Sequence, residues 1–260
     1  MSLRIRGAVT ALGLVLTMMS ATAQSGESVI RLSTGLEYTS GDYGGTEDIE
    51  DLYVPFTGLI NLDNVAISVT VPYLSVRAPS GTTVIGPGGE PVPGSGDTIT
   101  ESGLGDVIAS LTVYDVFLNV ESGLALDLVG KIKFGTADEE KGLGTGEEDY
   151  LLRADLYKFF DRFTLMGSGG YKVRGDPPGV DLQNGFLASV GGMYAIGNDV
   201  NVGLFYDYRE SSLLDGDAIS EASIFSSHHL GEKWYIQFYA LAGFSDSSPD
   251  WGGGVLLSTY

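Results

Sequence analysis

The sequence predicts an all-β fold, a transmembrane antiparallel β-barrel of about twelve strands that follows an N-terminal signal peptide. Three features of the chain predict it. Apolar and polar residues alternate along segments of roughly ten residues, long polar connections alternate with short turns, and no mature segment has the roughly 20 apolar residues that a transmembrane helix needs. The length of the chain permits one large β domain.

The start of the chain has the features of an export signal. Arg4 and Arg6 precede an apolar run that is too short to span a bilayer, and small residues follow it where a signal peptidase would cleave. We therefore predict a signal peptide at residues 1–23 and a mature outer-membrane barrel at residues 24–260. A retained anchor helix is the less favoured alternative because the apolar run is short.

Charge and cysteine content exclude several classes of function. The formal net charge is −20, which makes nucleic acid an unsuitable partner. The chain has no cysteine, so we expect no disulfide, no thiolate metal site and no lipidated N-terminal cysteine. We also expect no cofactor.

The alternating segments mark the strands in chain order. We predict strands near residues 28–39, 50–60, 65–77, 104–114, 122–135, 149–158, 163–174, 184–196, 200–210, 220–229, 233–245 and 251–260. Each is close to the length that crosses hydrocarbon at a tilt.

The connections between these strands are of two kinds. Short turns are predicted at 61–64, 115–121, 159–162, 197–199 and 230–232. Long polar loops are predicted at 40–49, 78–103, 136–148, 175–183, 211–219 and 246–250. Six long loops interleaved with five short turns are expected of an even-stranded barrel whose two termini lie on the periplasmic side.

Side-chain parity supports the barrel independently. One face of the predicted strands is apolar, as in the run of Val65, Ile67, Val69 and Val71. Near the long loops the same face carries aromatic residues, namely Tyr38, Tyr73, Phe134, Tyr150, Tyr171, Tyr208 and Phe244. Aromatic residues at one height and one parity are typical of the girdle at a membrane–water interface.

Charged residues of these strands fall on the opposite parity. In the stretch LALDLVGKIKFGT (124–136), the leucines share a face with Ile132 and Phe134, whereas Asp127 and two lysines share the other. If the apolar face contacts lipid, the charged face lines the lumen. The predicted basic patch on this inner wall comprises Lys131, Lys133, Arg153, Lys172 and Arg174. Its predicted acidic partners are Asp127, Asp155 and Asp207.

The inward charges have two compatible interpretations. One is a network of ion pairs that fills and rigidifies the lumen, in which Lys131 interacts with Arg153 and Asp155, and Asp207 pairs with Arg209. The other is a water-filled passage with a basic stripe that attracts anionic groups.

One long loop, residues 78–101, is crowded with Pro and Gly, and we expect no ladder strand in it. It is either a flexible extracellular loop or a loop that folds over the pore mouth or contacts solute. The acidic clusters at 46–51 and 137–149 have no EF-hand spacing, so we expect a solvated acidic rim and no metal site.

The sequence contains no convincing catalytic constellation. His228 and His229 lie beside Ser226 and Ser227, but neighbouring residues of a strand point to opposite faces, and the group lies next to a periplasmic turn. No nucleophile-elbow or zinc-protease motif is present. We therefore expect no enzymatic activity.

Three short motifs resemble an outer-membrane transporter family whose members are often labelled as part of the meta-cleavage pathway of phenol degradation. They are SGLGDV (102–107), KIKFGT (131–136) and GSGGYKVRGDP (167–177), and the resemblance extends over roughly residues 50–260. It implies a barrel that admits hydrophobic or aromatic compounds. The motif positions carried over, without an assigned mechanism, are Ser102, Gly103, Gly105 and Asp106.

We therefore expect an outer-membrane channel for passive uptake of small solutes, with aromatic or hydrophobic compounds or their carboxylates as candidates. The alternatives are an outer-membrane lipid-modifying enzyme and a structural or surface-recognition barrel without transport. The expected partners are outer-membrane lipids and lipopolysaccharide, the solute, and the barrel-assembly machinery, which would recognise a C-terminal strand that ends in the aromatic Tyr260.

Overall fold

In a computed structural model, the structure describes residues 5–8, 17–20, 29–86 and 90–259, and every regular element in these ranges is a β-strand. No helix in this part of the chain is long and apolar enough to cross a bilayer. Most of the predicted signal peptide and the whole of Tyr260 lie outside the described residues. The signal peptide and the role of Tyr260 in barrel assembly therefore remain predictions.

The chain forms fifteen described strands in two sheets. The short strands β1 (Ile5–Ala8) and β2 (Thr17–Ser20) pair with each other only. The large sheet contains β3 (Val29–Gly41), β4 (Ile49–Leu62), β5 (Val65–Pro79), β6 (Thr98–Leu104), β7 (Ile108–Asn119), β8 (Leu124–Lys133), β9 (Asp149–Phe159), β10 (Phe163–Val173), β11 (Gly185–Ile196), β12 (Val200–Arg209), β13 (Ile219–Leu230), β14 (Trp234–Gly243) and β15 (Trp251–Thr259).

The large sheet closes into a barrel. Apart from β6 and β7, strands of this sheet that follow each other along the chain pair antiparallel, and the last strand, β15, returns to pair with β3. Strands β6 and β7 both pair with β5, at its two ends, so together they occupy one position in the wall. The barrel therefore has twelve strand positions, which confirms the predicted fold.

One predicted turn was wrong. Residues 115–121 were expected to form a turn, but β7 continues to Asn119 and the turn follows at 120–123. Between Val113 and Phe117 the register with β8 shifts, and Asp115 has a left-handed φ of 54°. The backbone N–H of Asp115 is 2.9 Å from a carboxylate oxygen of Asp127, which compensates for the interrupted ladder. The polar residues of this β-bulge therefore gave a sequence pattern that looked like that of a turn.

The prediction that residues 78–101 contain no ladder strand was also wrong at both ends of the loop. Strand β5 extends to Pro79, and β6 begins at Thr98, directly opposite it. Above the membrane a strand needs no apolar face, so the polar, β-branched sequence from Thr98 onward pairs although it lacks the expected pattern.

The two faces of the wall differ as parity predicted. The outward face is apolar along its length, and the aromatic residues near the long loops are exposed or half-buried there. The inward face contains two apolar clusters and most of the buried charges. We call the end of the barrel that carries the long loops the outer end.

We expect the cost of a charge on the outward face to depend on its depth. Leu204 lies in the middle of β12 and is 61% exposed, whereas Ile196 ends β11 at the short-turn rim and is 50% exposed. Leu204→Arg should lower the free energy of unfolding by about 2–4 kcal/mol and Ile196→Arg by about 0–1 kcal/mol. Denaturant unfolding in lipid vesicles, followed by the gel shift between folded and boiled protein, measures both. Equal losses would argue against a membrane-embedded belt.

Candidate functional site

The structure places the predicted lumen residues that belong to strands on the inner face of the barrel. Each of them lies on the parity of the buried residues of its strand, and Arg153 is only 2% exposed. Arg174 follows the last residue of β10 and is also buried. The predicted patch is therefore one contiguous wall formed by β8, β9 and β10, but its ion pairs differ from those expected.

Four residues at the outer end of this wall form a compact ion-pair cluster, which we call the outer ion-pair cluster: Asp106, Lys133, Asp149 and Lys172. The Lys133 Nζ lies 2.9 Å from an Asp106 carboxylate oxygen and 3.8 Å from one of Asp149. The Lys172 Nζ lies 2.9 Å from the same Asp149 oxygen. All four residues are largely removed from solvent.

Lys133 has further partners that fix it in place. Its ammonium group also donates to the Thr145 hydroxyl and to the Glu147 carbonyl oxygen, each at 3.0 Å. Both acceptors belong to the β8–β9 loop. Lys133 therefore anchors that loop over the outer end of the barrel.

Asp106 connects two of the motif segments. One of its carboxylate oxygens accepts the backbone N–H groups of Thr136 and Ala137, each at 2.9 Å, while the other accepts Lys133. Of the other motif positions, Ser102 and Gly103 lie in β6, and Gly105 donates its N–H to the Pro72 carbonyl oxygen at 2.9 Å. The motif SGLGDV thus closes the break between β6 and β7 and holds the start of the β8–β9 loop.

The sequence analysis missed Asp106 and Asp149 as the partners of Lys133. For Asp149 a signal existed, because it begins β9 directly opposite Lys133 in the register of the two strands. For Asp106 there was none of this kind, because it lies in the irregular segment between two strands, where strand parity gives no direction.

The other expected pairs form only in part. Arg153 makes a two-point contact with Asp155, with N–O distances of 2.7 and 2.8 Å. Lys131 forms no ion pair with any described residue. Arg209 pairs with Glu221 at 2.9 Å, and not with Asp207 as expected. Asp207 lies instead opposite Ser189 in the register.

Arg174 lies just beyond the outer end of β10. Its guanidinium donates to the Gln183 carbonyl oxygen, and its backbone N–H donates to the Asn184 side chain at 2.7 Å. Burial lowers the pKa of Arg174 from its ordinary value, and the nearby carboxylates of Asp149 and Glu90 oppose the shift. Arg174 thus faces acidic groups at the barrel mouth.

Acidic residues balance much of the predicted basic patch. Seven Lys and Arg side chains lie on the inner parity, and the buried acids that face them include Glu37, Asp106, Asp149 and Glu221. The lumen is therefore zwitterionic, and Lys131 is the member of the predicted patch without a hydrogen bond or an ion pair to the described residues. Lys131 is also partly exposed.

An apolar wall lies beside the charges, from mid-strand toward the short turns. It contains Tyr157, Met166, Met193, Phe205, Phe225, Tyr235 and Tyr239. The rings of Phe205 and Phe225 are 5.9 Å apart and nearly parallel. The Tyr239 hydroxyl donates to Glu37 at 2.7 Å, which fixes that ring against the wall.

Several buried polar atoms on the inner face have no hydrogen-bond partner among the described residues. They include the hydroxyls of Ser168 and Ser223 and the side-chain nitrogen of Gln237. Buried polar groups are normally hydrogen-bonded, so these atoms are positions where water in the lumen would bind.

The β5–β6 loop folds inward over the outer end. Within residues 80–86 and 90–97, which we call the mouth strap, Thr83 and Val92 form a short antiparallel bridge with N–O distances of 2.8 and 2.9 Å. The Val84 N–H donates to the Gly142 carbonyl oxygen at 2.9 Å, and Ile85 is fully buried. Of the two interpretations of this loop, the structure therefore supports the one in which it folds over the mouth.

The serines and histidines near the β13–β14 turn occupy both faces. Ser226 and His228 lie on the outward face, with Ser226 Oγ and His228 Nε2 2.7 Å apart, so the expectation that no such pair shares a face was wrong. Residues two apart on a strand point the same way. Their four cross-strand neighbours are apolar, namely Val200, Val202, Ile236 and Phe238.

No protein-family model matches the chain, and no curated protein matches it. Among solved structures, it is similar to an outer membrane channel from Pseudomonas putida F1, with a TM-score of 0.68 at 13% identity over 88% of this chain and 94% of that one. It is also similar to the KdgM porin, with a TM-score of 0.54 at 8% identity over 88% and 98% of the chains. At these identities the likeness shows the fold, that of an outer-membrane barrel.

The two lysines of β8 should differ sharply in their effect on stability. Lys133→Met leaves the buried carboxylates of Asp106 and Asp149 short of a partner, and we expect it to lower the free energy of unfolding by about 3–5 kcal/mol. Lys131→Met removes no ion pair and should change it little. Denaturant unfolding of both variants measures the difference. A loss for Lys133→Met as small as that for Lys131→Met would mean that the outer ion-pair cluster contributes no stability of its own.

Proposed function

We propose that this protein is a channel of the bacterial outer membrane through which small solutes diffuse passively. The observation that carries the proposal is the inner face of the barrel, where Lys131 and several polar atoms without a partner among the described residues share the lumen with the apolar wall. A barrel with a purely structural role would instead fill its interior with side chains that satisfy one another. The likeness in fold to channels and porins agrees with the proposal.

The proposed solutes are small aromatic compounds and their carboxylates. The apolar wall offers flat aromatic surface, and Lys131 offers a cation on the same inner face, nearer the outer end of the barrel. The resemblance of the three motifs to transporters associated with phenol degradation supports the same class. The predicted export signal at 1–23 agrees with delivery to the outer membrane, where lipopolysaccharide would surround the acidic loops.

One observation favours the alternative of a lipid-modifying enzyme, namely the Ser226–His228 pair on the outward face. A nucleophile and base need a third group that orients the base and donors that stabilise an oxyanion. The cross-strand neighbours of the pair are apolar and supply neither. His228 is also paired with Val200, the first residue of β12, at the short-turn rim. We therefore propose that the pair has no catalytic role.

Lys131 should influence ion selectivity. In planar bilayers, Lys131→Glu should shift the reversal potential in a salt gradient toward cation preference, because a cation that faces the lumen is replaced by an anion. The matched control is Lys141→Glu, the same charge change at an exposed position of the β8–β9 loop. We expect the control to leave the reversal potential unchanged. A protein that never conducts in either form would contradict the proposed function.

The enzyme alternative has its own test. Purified protein incubated with fluorescent phospholipid vesicles should release no fatty acid, and Ser226→Ala combined with His228→Ala should leave conductance intact. Hydrolysis by the unmodified protein that disappears in the double variant would replace the channel with a lipid hydrolase.

A further inference from the structure

Two carboxylates on the inner face, Glu37 and Asp51, lack the cations that other buried acids have. Four buried acids each pair with a lysine or an arginine at 2.7–2.9 Å, namely Asp106, Asp149, Asp155 and Glu221. Glu37 and Asp51 form no ion pair with the described residues, and Glu37 Oε1 and Asp51 Oδ1 are buried without a hydrogen-bond partner among them. A buried charge without a partner is destabilising, so these two oxygens are positions where a cation would bind.

The two carboxylates lie on the same face of adjacent strands. In the register of β3 and β4, Glu37 lies opposite Tyr53 and Thr39 lies opposite Asp51. Glu37 and Asp51 are therefore diagonal neighbours, and long side chains reach each other across such a separation. The charge that acts on the Asp51 carboxyl group is that of Glu37. Two like charges this close repel each other, so a cation beside both of them is favoured.

A tyrosine hydroxyl adds a third open oxygen to this group. Tyr53 is only 7% exposed, yet its hydroxyl has no hydrogen bond to the described residues, and it lies within electrostatic range of both Glu37 and Asp51. Tyr53 and Asp51 are two residues apart on β4, so their side chains point the same way, into the lumen. A primary ammonium group has three N–H donors and no acceptor. Its donors match the three open oxygens in number and in kind.

Aromatic rings flank the three oxygens. Tyr239, which belongs to the apolar wall, donates its hydroxyl to Glu37 Oε2 at 2.7 Å. Its ring lies over Gly254, where a Cβ would be 2.7 Å from a ring carbon. Phe225 lies opposite Tyr239 in the register of β13 and β14, and Tyr53 belongs to the second apolar cluster. Aromatic faces attract cations and pack against other rings, so these surroundings favour an ammonium group attached to an aromatic ring.

We propose that Glu37, Asp51 and Tyr53 form a binding site for the ammonium group of an aromatic amine, whose ring packs against Tyr239 and Phe225. The inference rests on the proposed channel function and adds a second class of aromatic solute to the carboxylates. Binding is non-covalent. The ammonium group donates one N–H to each open oxygen and gives the two carboxylates the cation that no described residue supplies.

The site is separate from the predicted basic patch. Lys131 lies on β8, three positions around the ring from β4 when β6 and β7 are counted as one position. Arg209 acts on Tyr43, as Asp51 does, but its guanidinium is paired with Glu221 at 2.9 Å. An amine that binds between the two carboxylates therefore displaces no cation of the described residues.

An organic ammonium matches this site better than a metal ion does. Calcium takes about six to eight oxygen ligands, and magnesium requires a near-ideal octahedron of them. The described part of the chain has no group of three or more histidine or acidic side chains that could hold a metal ion. Two carboxylates among tyrosine rings instead favour a cation that carries its own apolar surface. The formal net charge of −20 attracts such cations to the protein.

The first experiment measures binding to the detergent-solubilised protein by calorimetry at neutral pH. The probe is 2-phenylethylammonium, and 2-phenylethanol is its neutral isostere. Glu37→Gln combined with Asp51→Asn should weaken binding of the ammonium roughly tenfold or more, because two charge-assisted hydrogen bonds become neutral ones. It should leave binding of the alcohol unchanged. The matched control is Glu47→Gln with Asp48→Asn, the same two changes at exposed positions just before β4, which should bind both probes like the unmodified protein.

The outcomes that would overturn the inference are specific. Failure of the unmodified protein to bind 2-phenylethylammonium would overturn it, and so would equal affinity in the double variant. Loss of both probes together in that variant would mean that the two carboxylates have only a structural role. Methylammonium, which has no ring, should bind more weakly than 2-phenylethylammonium, and equal affinity would contradict the aromatic part of the proposal.

A second variant supplies the cation from within the chain. Asp51→Lys places an ammonium group diagonally across from Glu37, where the two can form an ion pair. The variant should therefore fold, keep its unfolding midpoint and no longer bind 2-phenylethylammonium. Asp48→Lys, the matched control, makes the same change at an exposed position and should bind the probe as before. Undiminished binding by Asp51→Lys would overturn the inference without recourse to the neutral variants.

Single-channel recording separates this inference from the channel itself. In planar bilayers, 2-phenylethylammonium should interrupt the current of the unmodified protein, and Glu37→Gln with Asp51→Asn should shorten the interruptions. Conductance together with no binding of the ammonium would overturn the site and leave the channel standing. Binding of the ammonium by a protein that conducts in no variant would overturn the channel and leave the site standing.

Discussion

Hydrocarbon offers no hydrogen bonds to the peptide backbone, and this constraint determines most of the structure. The wall must close, and it does so where β15 pairs with β3. Closure leaves each strand residue two environments, lipid outside and lumen inside, with strict alternation between them. Most charges of the membrane-spanning strands therefore lie in the interior, where they form ion pairs with one another. The ion pairs of the lumen are a consequence of closure.

Parity was predictable from sequence because its cause is local. A strand alternates with a period of two residues whatever it pairs with, so the stretch at 124–136 already separated Leu128 from Lys131. The bulge near Asp115 was not predictable in this way. Whether polar residues end a strand or distort it depends on a partner elsewhere, here the Asp127 carboxylate. Local patterns therefore gave the wall and its faces but misplaced one turn.

The ion pairs were harder to predict because they depend on distance around the ring. The expected pair of Asp207 and Arg209 relied on nearness in sequence, yet Arg209 binds Glu221 on the adjacent strand. Glu90 and Ser212 are separated by 122 residues and meet only because the β5–β6 loop folds inward to the β12–β13 loop at the same end of the barrel. No periodicity within a segment records such a contact. The residues that matter most at the mouth were therefore those that sequence patterns could not bring together.

Two buried carboxylates at the outer end, Asp106 and Glu90, differ in how completely their oxygens are hydrogen-bonded. Both carboxylate oxygens of Asp106 are hydrogen-bonded, one to two backbone N–H groups and the other to the ammonium group of Lys133. Glu90 receives comparable donors, but all of them on Oε1, and its Oε2 has none among the described residues. Asp106 is therefore hydrogen-bonded at both carboxylate oxygens and Glu90 at one, because only the segment after Asp106 brings backbone donors and a lysine to opposite sides of the same carboxylate.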